Sequence, residues 1–412
     1  MDTMYRCCAG LDVHKETVAA CVRRVDAGGR VGKEIRTFGT TTGELLKLLD
    51  WLTAEGVQAA AMESTGVFWK PIWNILEGSL QVILVNARHI KNVPGRKTDV
   101  KDCDWIAQLL QHGLLRASFV PERPQRELRD LTRQRSQLTA EQSRVSNRIH
   151  KTLEDANIKL GSVATDILGV SGREMIRALI GGQEDPNQLA DLARRRLRAK
   201  LPALREALRG HLTDHHRFML RQLMDHLDYL DRQIAAFDKR IEVLMRPFQE
   251  AIARLMTMPG VGLLTAQNVL AEIGTDMSRF PTDQHLASWA AMCPGNRESA
   301  GKRKSGHTNH GNRWLRTALV QAAWAASHSK KTYLAAQYRR LAGRRGKKRA
   351  IVAVGHTMLV MMYHMLRDGV EYQELGPDYL DKLQPLRLTT YLVKRLESLG
   401  HQVKLTPLDQ AA

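Results

Sequence analysis

The sequence predicts an α/β domain at the N-terminus followed by an all-α remainder, and three observations predict it. Residues 5–39 hold three short apolar or alternating runs, the period-two signature of strands. From there to about residue 120, helical spacing alternates with short buried strands. Beyond Pro121, apolar residues recur at steps of three and four with little strand signal.

The spacing predicts strands over 5–13, 17–25 and 33–38, with Asp26-Ala-Gly-Gly-Arg30 turning the chain between the last two. Leu45, Leu48, Leu49 and Leu52 then mark a helix, entered through Thr41 and Thr42 and closed at Gly56. A buried strand follows over 59–62, a helix over 68–76 and another strand over 82–85. A helix starts near Asp102, with Ile106, Leu109 and Leu110 on its apolar side. Three antiparallel strands followed by two helix-connected strands is the element order of the ribonuclease H-like fold. Trp69 and Trp73, four apart, read as core.

The acids are placed informatively on that order. Asp12 closes the first strand and Glu63 closes the fourth. In such a sheet these strands are neighbours, so their ends bring the two carboxylates together near Asp99 and Asp102. Four converging carboxylates would hold two divalent cations, magnesium or manganese, ~3.5–4 Å apart, as phosphoryl transfer requires. Asp99 and Asp102 by themselves also suit a helix dipole at its N-terminus. Arg96, Lys97 and Lys101 crowd the same turn and point to an anion there, Lys97 being the candidate phosphate contact. His14 and Lys15 suit either a phosphate or a plain hairpin turn.

Composition narrows the class. A chain of 412 residues exceeds one core, so we expect domains over 1–120, 121–254 and 255–375 and a tail over 376–412. A formal net charge of +19, distributed along the chain, favours a nucleic-acid partner over a membrane surface. No apolar run approaches the ~20 residues of a membrane span. The N-terminus lacks the apolar stretch of a signal peptide, so a cytoplasmic location is expected. The five cysteines show no metal-binding spacing and read as reduced thiols.

In the second region Arg123, Arg126, Arg129, Arg133, Arg135, Arg144, Arg148 and Lys151 stud one helix. Its basic face suits either nucleic acid or solvent. Leu220, Leu223, Leu227, Leu230, Ile234, Phe237, Ile241, Leu244 and Phe248 form an unbroken coiled-coil seam, predicting an antiparallel hairpin, a dimer interface, or both. Residues 157–205 read as an irregular helical insert. Pro259-Gly260-Val261-Gly262 before an apolar helix matches a helix-hairpin-helix element, whose Gly260 and Gly262 would present N–H groups to phosphate or make a protein contact. A polar loop over 294–313 carries Arg297, Lys302, Arg303 and Lys304, with Arg313 and Arg316 opening the next helix. Ser299 and Ser305 are hydroxyls within it, and spacing identifies no general base for either. A peripheral helix is expected over 386–399.

These residues together carry a resemblance. Asp12 in Gly-Leu-Asp-Val-His-Lys, Glu63 in Glu-Ser-Thr-Gly and Thr98-Asp-x-x-Asp102 resemble the DEDD transposases of the IS110 insertion-sequence family, whose N-terminal domain is similar to the RuvC junction resolvase. Pro-Gly-Val-Gly, the Glu298-Ser299 loop and Gly311-Asn-Arg-Trp-Leu-Arg316 resemble that family's C-terminal transposase domain. The resemblance implies a DNA recombinase that excises and inserts its own element in a prokaryotic, nucleoid-associated setting. It also implies that Ser299 is the nucleophile, that a structured non-coding RNA guides recombination, and that the protein is a homo-oligomer, dimer or tetramer. A RuvC-like, structure-selective endonuclease using the same acids with water is the alternative.

Overall fold

The computed structural model describes residues 3–64, 66–87, 90, 102–295, 297–299, 301–305, 308, 311–383 and 385–406. Lys97 and Asp99 lie outside the described residues. The chain divides into two compact units, residues 1–122 and 123–412.

The first unit is a mixed sheet of order β3-β2-β1-β4-β5. Its strands are β1 (Cys7–Val13), β2 (Thr17–Val25), β3 (Val31–Gly39), β4 (Ala59–Glu63) and β5 (Gln81–Val85). The first three are antiparallel, and β4 and β5 run parallel to β1 and to each other. This is the predicted mixed α/β order. β3 extends beyond its predicted limits because its backbone pairs with β2 from Gly39 to Val31, whatever the side chains. Both sheet faces are covered, which explains the nearly continuous apolar runs of β1 and β4. Helices α1 (Thr42–Ala54) and α2 (Trp69–Leu76) bury Leu45, Leu48, Trp51, Leu52, Ile72 and Leu76 against Leu11, Val13 and Met62. On the opposite face α3 (Asp102–Gln111) buries Ile106, Leu109 and Leu110 against Cys8, Ala59, Ala61 and Val85.

The second unit is mostly helical. Helices α4 (Arg123–Asp155) and α9 (Asp214–Met245) pair antiparallel, as Arg135 to Asp238 at 3.1 Å, Gln142 to Asp231 at 2.5 Å and His216 to Asp155 at 2.9 Å establish. The seam leucines Leu220, Leu223, Leu227 and Leu230 are buried with Val145, Ile149 and Leu153, so this half of the seam packs within the chain. Between these helices lie α5 (Leu160–Val163), α6 (Val170–Ile180), α7 (Pro186–Asp191) and α8 (Leu201–Ala207), which share that core through Leu160, Met175, Ile176, Leu189 and Leu204.

After α9 come α10 (Gln249–Met256), α11 (Leu263–Ile273), α12 (Asp283–Trp289), α13 (Arg313–Ser327), α14 (Tyr333–Arg345) and α15 (Lys347–Asp368). Helix α15 has the length and hydropathy of a membrane span, yet half of its apolar window is buried, with Val354, Met358 and Leu359 in the core. The short α16 (Tyr379–Lys382) and the predicted peripheral helix α17 (Pro385–Ser398) contribute no buried residue.

The basic face of α4 needs a correction. Arg129, Arg133 and Arg135, three of its eight predicted cations, turn inward onto α11. Arg133 grips the buried Glu272 carboxylate with two hydrogen bonds of 2.7 and 2.8 Å, and Arg129 donates to the carbonyls of Ala271 and Glu272. Arg135 donates to Gln267 at 2.6 Å and Asn268 at 2.8 Å. Burial pushes the Arg129 guanidinium down to about 10. Arg144, Arg148 and Lys151 remain exposed.

Glu272 also accepts from Asn312 Nδ2 at 2.6 Å, and Asn312 caps α13 through the N–H groups of Trp314 and Leu315. One buried carboxylate therefore ties α4, α11 and the start of α13. Glu272→Ala removes the carboxylate that two guanidiniums share, taking both of its hydrogen bonds from Arg133, and should lower the unfolding free energy by about 3–5 kcal/mol. Urea denaturation checks this; a change of only about 0.5 kcal/mol, typical of surface substitutions, would refute it.

Candidate active site

The ends of β1 and β4 build the site in the first unit. Parallel pairing sets Cys8 against Ala59, Gly10 against Ala61 and Leu11 against Met62. One further step along both strands brings Asp12 level with Glu63. Side chains alternate along a strand, so Cys8, Gly10 and Asp12 share one face, as do Ala59, Ala61 and Glu63. That face is the one beneath α3, because Cys8, Ala59 and Ala61 belong to the core that α3 covers.

Gly10 fixes how closely α3 lies. A Cβ there would stand 2.1 Å from the Cys103 carbonyl oxygen and 2.3 Å from the Ala107 nitrogen. No side chain fits, so the helix backbone rests directly on β1. The first residue of α3 is Asp102, exposed to solvent. Burial pushes the Cys103 thiol up, and the negative charge of Asp12 is a further cause, which places that carboxylate beside the start of the helix. Asp12 is partly exposed and meets His14 Nε2 at 3.3 Å.

Asp12 and Glu63 thus share one face and one end of the sheet, and Asp102 opens the helix that covers that face. Asp99 is not among the described residues. Among those that are, no three acid, histidine or cysteine side chains stand close enough to hold a metal ion. The donors available at this edge are carboxylate oxygens, the set that magnesium and manganese prefer over softer ligands.

The residue that sequence reasoning missed is Asp104. It is 3% exposed and held between Arg23 and Lys33, the latter at 2.7 Å. Burial raises its pKa, but the hydrogen bonds from Lys33 and Arg23 prevail and hold the carboxyl below its ordinary value. Arg23 also donates to Gln111 Oε1 at 3.1 Å, so one guanidinium grips both ends of α3. A cue was present: the β2–β3 register places Arg23 directly opposite Lys33. Like charges so paired repel unless an anion lies over them.

In the second unit the predicted loop is in part a β-hairpin. β6 (Arg297–Ser299) pairs antiparallel with β7 (Lys302–Ser305), Ser299 lying opposite Lys302 across a turn where Gly301 has φ +72°. A bridge between Pro294 and Thr308 closes its base. Cations in place of β-branched residues had hidden the strands. Ser299 therefore flanks the tip, Arg297 and Ser305 are paired further down, and Glu298 is opposite Arg303, with Lys304 between. Lys302 is exposed. Arg313 is exposed and lies over the Trp314 ring at 4.6 Å. Arg316 is half-buried and donates to the Ala291 carbonyl at 3.2 Å.

For Gly260 the structure shows a protein contact, one of its two expected roles. Its φ is +84°, and a Cβ would stand 2.3 Å from the Ala322 carbonyl oxygen, so its close approach is to α13. Gly262 has open space around it and starts α11 without a side-chain cap.

Two family models match the chain. One, described as a DEDD transposase of the IS110 type, matches residues 9–158. The other, described as a transposase of the IS116/IS110/IS902 family, matches residues 252–339. The chain is 28% identical over 306 residues to an insertion element IS110 protein of Streptomyces coelicolor, covering 69% of this chain and 74% of that one. It is 25% identical over 231 residues to the transposase for insertion sequence element IS1111A of Coxiella burnetii, covering 54% and 62%. It is 28% identical over 151 residues to a pilin gene-inverting protein of Moraxella bovis, covering 35% and 47%. The predicted acids fall in the first matched stretch and Ser299 in the second; residues 159–251 fall in neither.

The Asp104 clasp gives a pH signature. Because its folded-state pKa is depressed, its stabilisation is complete above the unfolded value of about 3.9. That stabilisation is lost as pH falls through the lower folded value. Asp104→Asn should cost about 1.5–3 kcal/mol at neutral pH, the range for hydrogen bonds to a charged group. It should also flatten the loss of stability below about pH 4. Denaturation across that pH range reads both; parallel curves for wild type and variant would contradict the clasp.

Proposed function

We infer that this chain, which belongs to the IS110 family of transposases and so cleaves and rejoins DNA, excises and inserts its own insertion sequence by a chemistry divided between its two units. In this reading Asp12, Glu63, Asp99 and Asp102 are the metal ligands of a ribonuclease H-like domain. The single observation that carries it is the β1–β4 register, which sets Asp12 level with Glu63 on the face covered by α3.

Magnesium or manganese held there would neutralise charge on the scissile phosphate. The chain's own residues do the rest. The half-exposed carboxylates of Asp12 and Glu63 at the strand ends keep ligand oxygens open to a DNA strand. Ser299 supplies the nucleophile: its Oγ bonds to a backbone phosphorus, the bond from that phosphorus to one sugar oxygen breaks, and the serine proton passes to solvent. The departing sugar oxygen takes up a proton and leaves as a hydroxyl. Rejoining reverses the exchange, with a hydroxyl from another strand displacing Ser299. Support for this role is the position of Ser299 at the tip of a short basic hairpin.

Lys97, Gly262, Arg297, Lys302, Arg303, Lys304, Arg313 and Arg316 would contact phosphates of the element ends and target. A formal charge of +19 is in keeping with a second polyanion, a structured guide RNA. We place the working enzyme in the bacterial cytoplasm, on the nucleoid, as a homo-oligomer.

Ser299→Ala should abolish recombination and leave DNA binding intact, and a covalent protein–DNA adduct should be trapped with wild type on a denaturing gel. Recombination by the variant, or cleavage with no adduct, would remove the serine from the mechanism. Asp12→Asn or Glu63→Gln should slow strand cleavage by about a thousandfold, the worth of several kcal/mol of charge stabilisation. Cleavage by these variants at the wild-type rate under limiting magnesium would end the metal-site reading.

A further inference from the structure

We propose that the helical insert between α4 and α9 carries a separate binding site for the phosphodiester backbone of nucleic acid, built around Arg195 and Arg196. From residue 159 on, the insert lies in neither family-matched stretch, and the catalytic reading gives it no role. Its sequence contains the run Arg194-Arg-Arg-Leu-Arg-Ala-Lys200, five cations in seven residues.

The structure folds this run around a cavity of about 610 Å³. Arg194, Arg195, Arg196 and Lys200 line it, and Asp166 is the one carboxylate among the lining residues. That carboxylate is engaged locally, accepting from the Leu168 N–H at 2.9 Å. The first turn of α6 forms another part of the wall, through Val170, Ser171 and Gly172. Gly169 offers no side-chain cap, so the free N–H groups of that turn add partial positive charge to the wall.

The cations differ in what they already hold. Arg194 binds Glu174 at 2.6 Å, and its backbone N–H donates to Ser171 Oγ at 2.9 Å. Lys200 donates to the Val163 carbonyl at 2.9 Å. These two build the wall. Arg195 and Arg196 are exposed, and among the described residues no ion pair engages either. Arg195 also sits at φ +51°, a conformation uncommon for a residue with a side chain and often found at binding sites. Two adjacent guanidinium forks beside a helix start match the oxygens of phosphate groups. The identification of the polyanion as nucleic acid, DNA or RNA, rests on the family reading above.

The test uses the full chain without magnesium, so strand cleavage does not enter. Affinity is measured over a salt series for a DNA duplex and for a hairpin RNA of equal length. The variant is Arg195→Asn with Arg196→Gln, asparagine being tolerant of positive φ. We expect the slope of log affinity against log salt to shrink by about two, roughly one for each phosphate that is no longer neutralised. Shrinkage with DNA alone, RNA alone or both identifies the polymer and supports the site. Arg198→Gln, in the same run but outside the cavity wall, should leave the slopes unchanged. Unaltered slopes in the double variant, or an equal loss in Arg198→Gln, would overturn the site and leave the family reading standing. A wild-type chain that binds neither polymer would overturn both.

Discussion

The contact between Gly10 and α3 is the constraint on which the candidate active site depends. Helices normally stand off a sheet by the thickness of their side chains; here the missing Cβ lets the backbone of Cys103 and Ala107 settle onto β1. Two consequences follow from strand geometry alone. Asp12, two residues beyond Gly10, emerges at the edge of the covered face, and Glu63 emerges level with it on the neighbouring strand. The first residue of the settled helix is Asp102. A larger residue at position 10 would lift α3 and separate Asp102 from the strand ends, even with every acid intact.

Both units use a similar device to hold a helix start in place. In the first, Asp104 lies buried under Arg23 and Lys33 and anchors α3. In the second, Glu272 lies buried under Arg129 and Arg133 and, through Asn312, anchors α13, where Arg313 and Arg316 begin. A buried carboxylate clasped by two cations is rarely the strongest way to stabilise a core. It is directional, however, and loss of either partner leaves a charge in a dry site. Such a clasp suits a position where orientation matters more than bulk stability.

Much of the first unit was legible because period-two and helical patterns reflect burial directly. The continuous apolar runs of β1 and β4 reflect coverage on both faces, and Asp12 and Glu63 stood at strand ends for any reader of the pattern. Less legible were features set by pairing rather than by hydropathy. The β6–β7 hairpin is made of charged residues and serine, so no strand signal marks it. Gly260 read as facing either phosphate or protein, because sequence cannot say which neighbour comes close; the structure puts the Ala322 carbonyl there. Asp104 hid beside Asp102, since two residues along a helix turn a side chain to a different face.

Net charge was the broadest signal and the easiest to over-read. An excess of cations says that a polyanion is bound somewhere, but not which cations meet it. On α4 these cations divide by helical position: Arg129, Arg133 and Arg135 hold α11, whereas Arg144, Arg148 and Lys151 face solvent. The internal group stabilises the unit whether or not nucleic acid is present, so it adds nothing to the counterion release that governs salt dependence. The electrostatic footprint of this protein is therefore more localised than its count of 62 lysines and arginines suggests. It is concentrated where cations lack an internal carboxylate, and by that criterion Arg195 and Arg196 of the insert rank with the exposed stretch of α4.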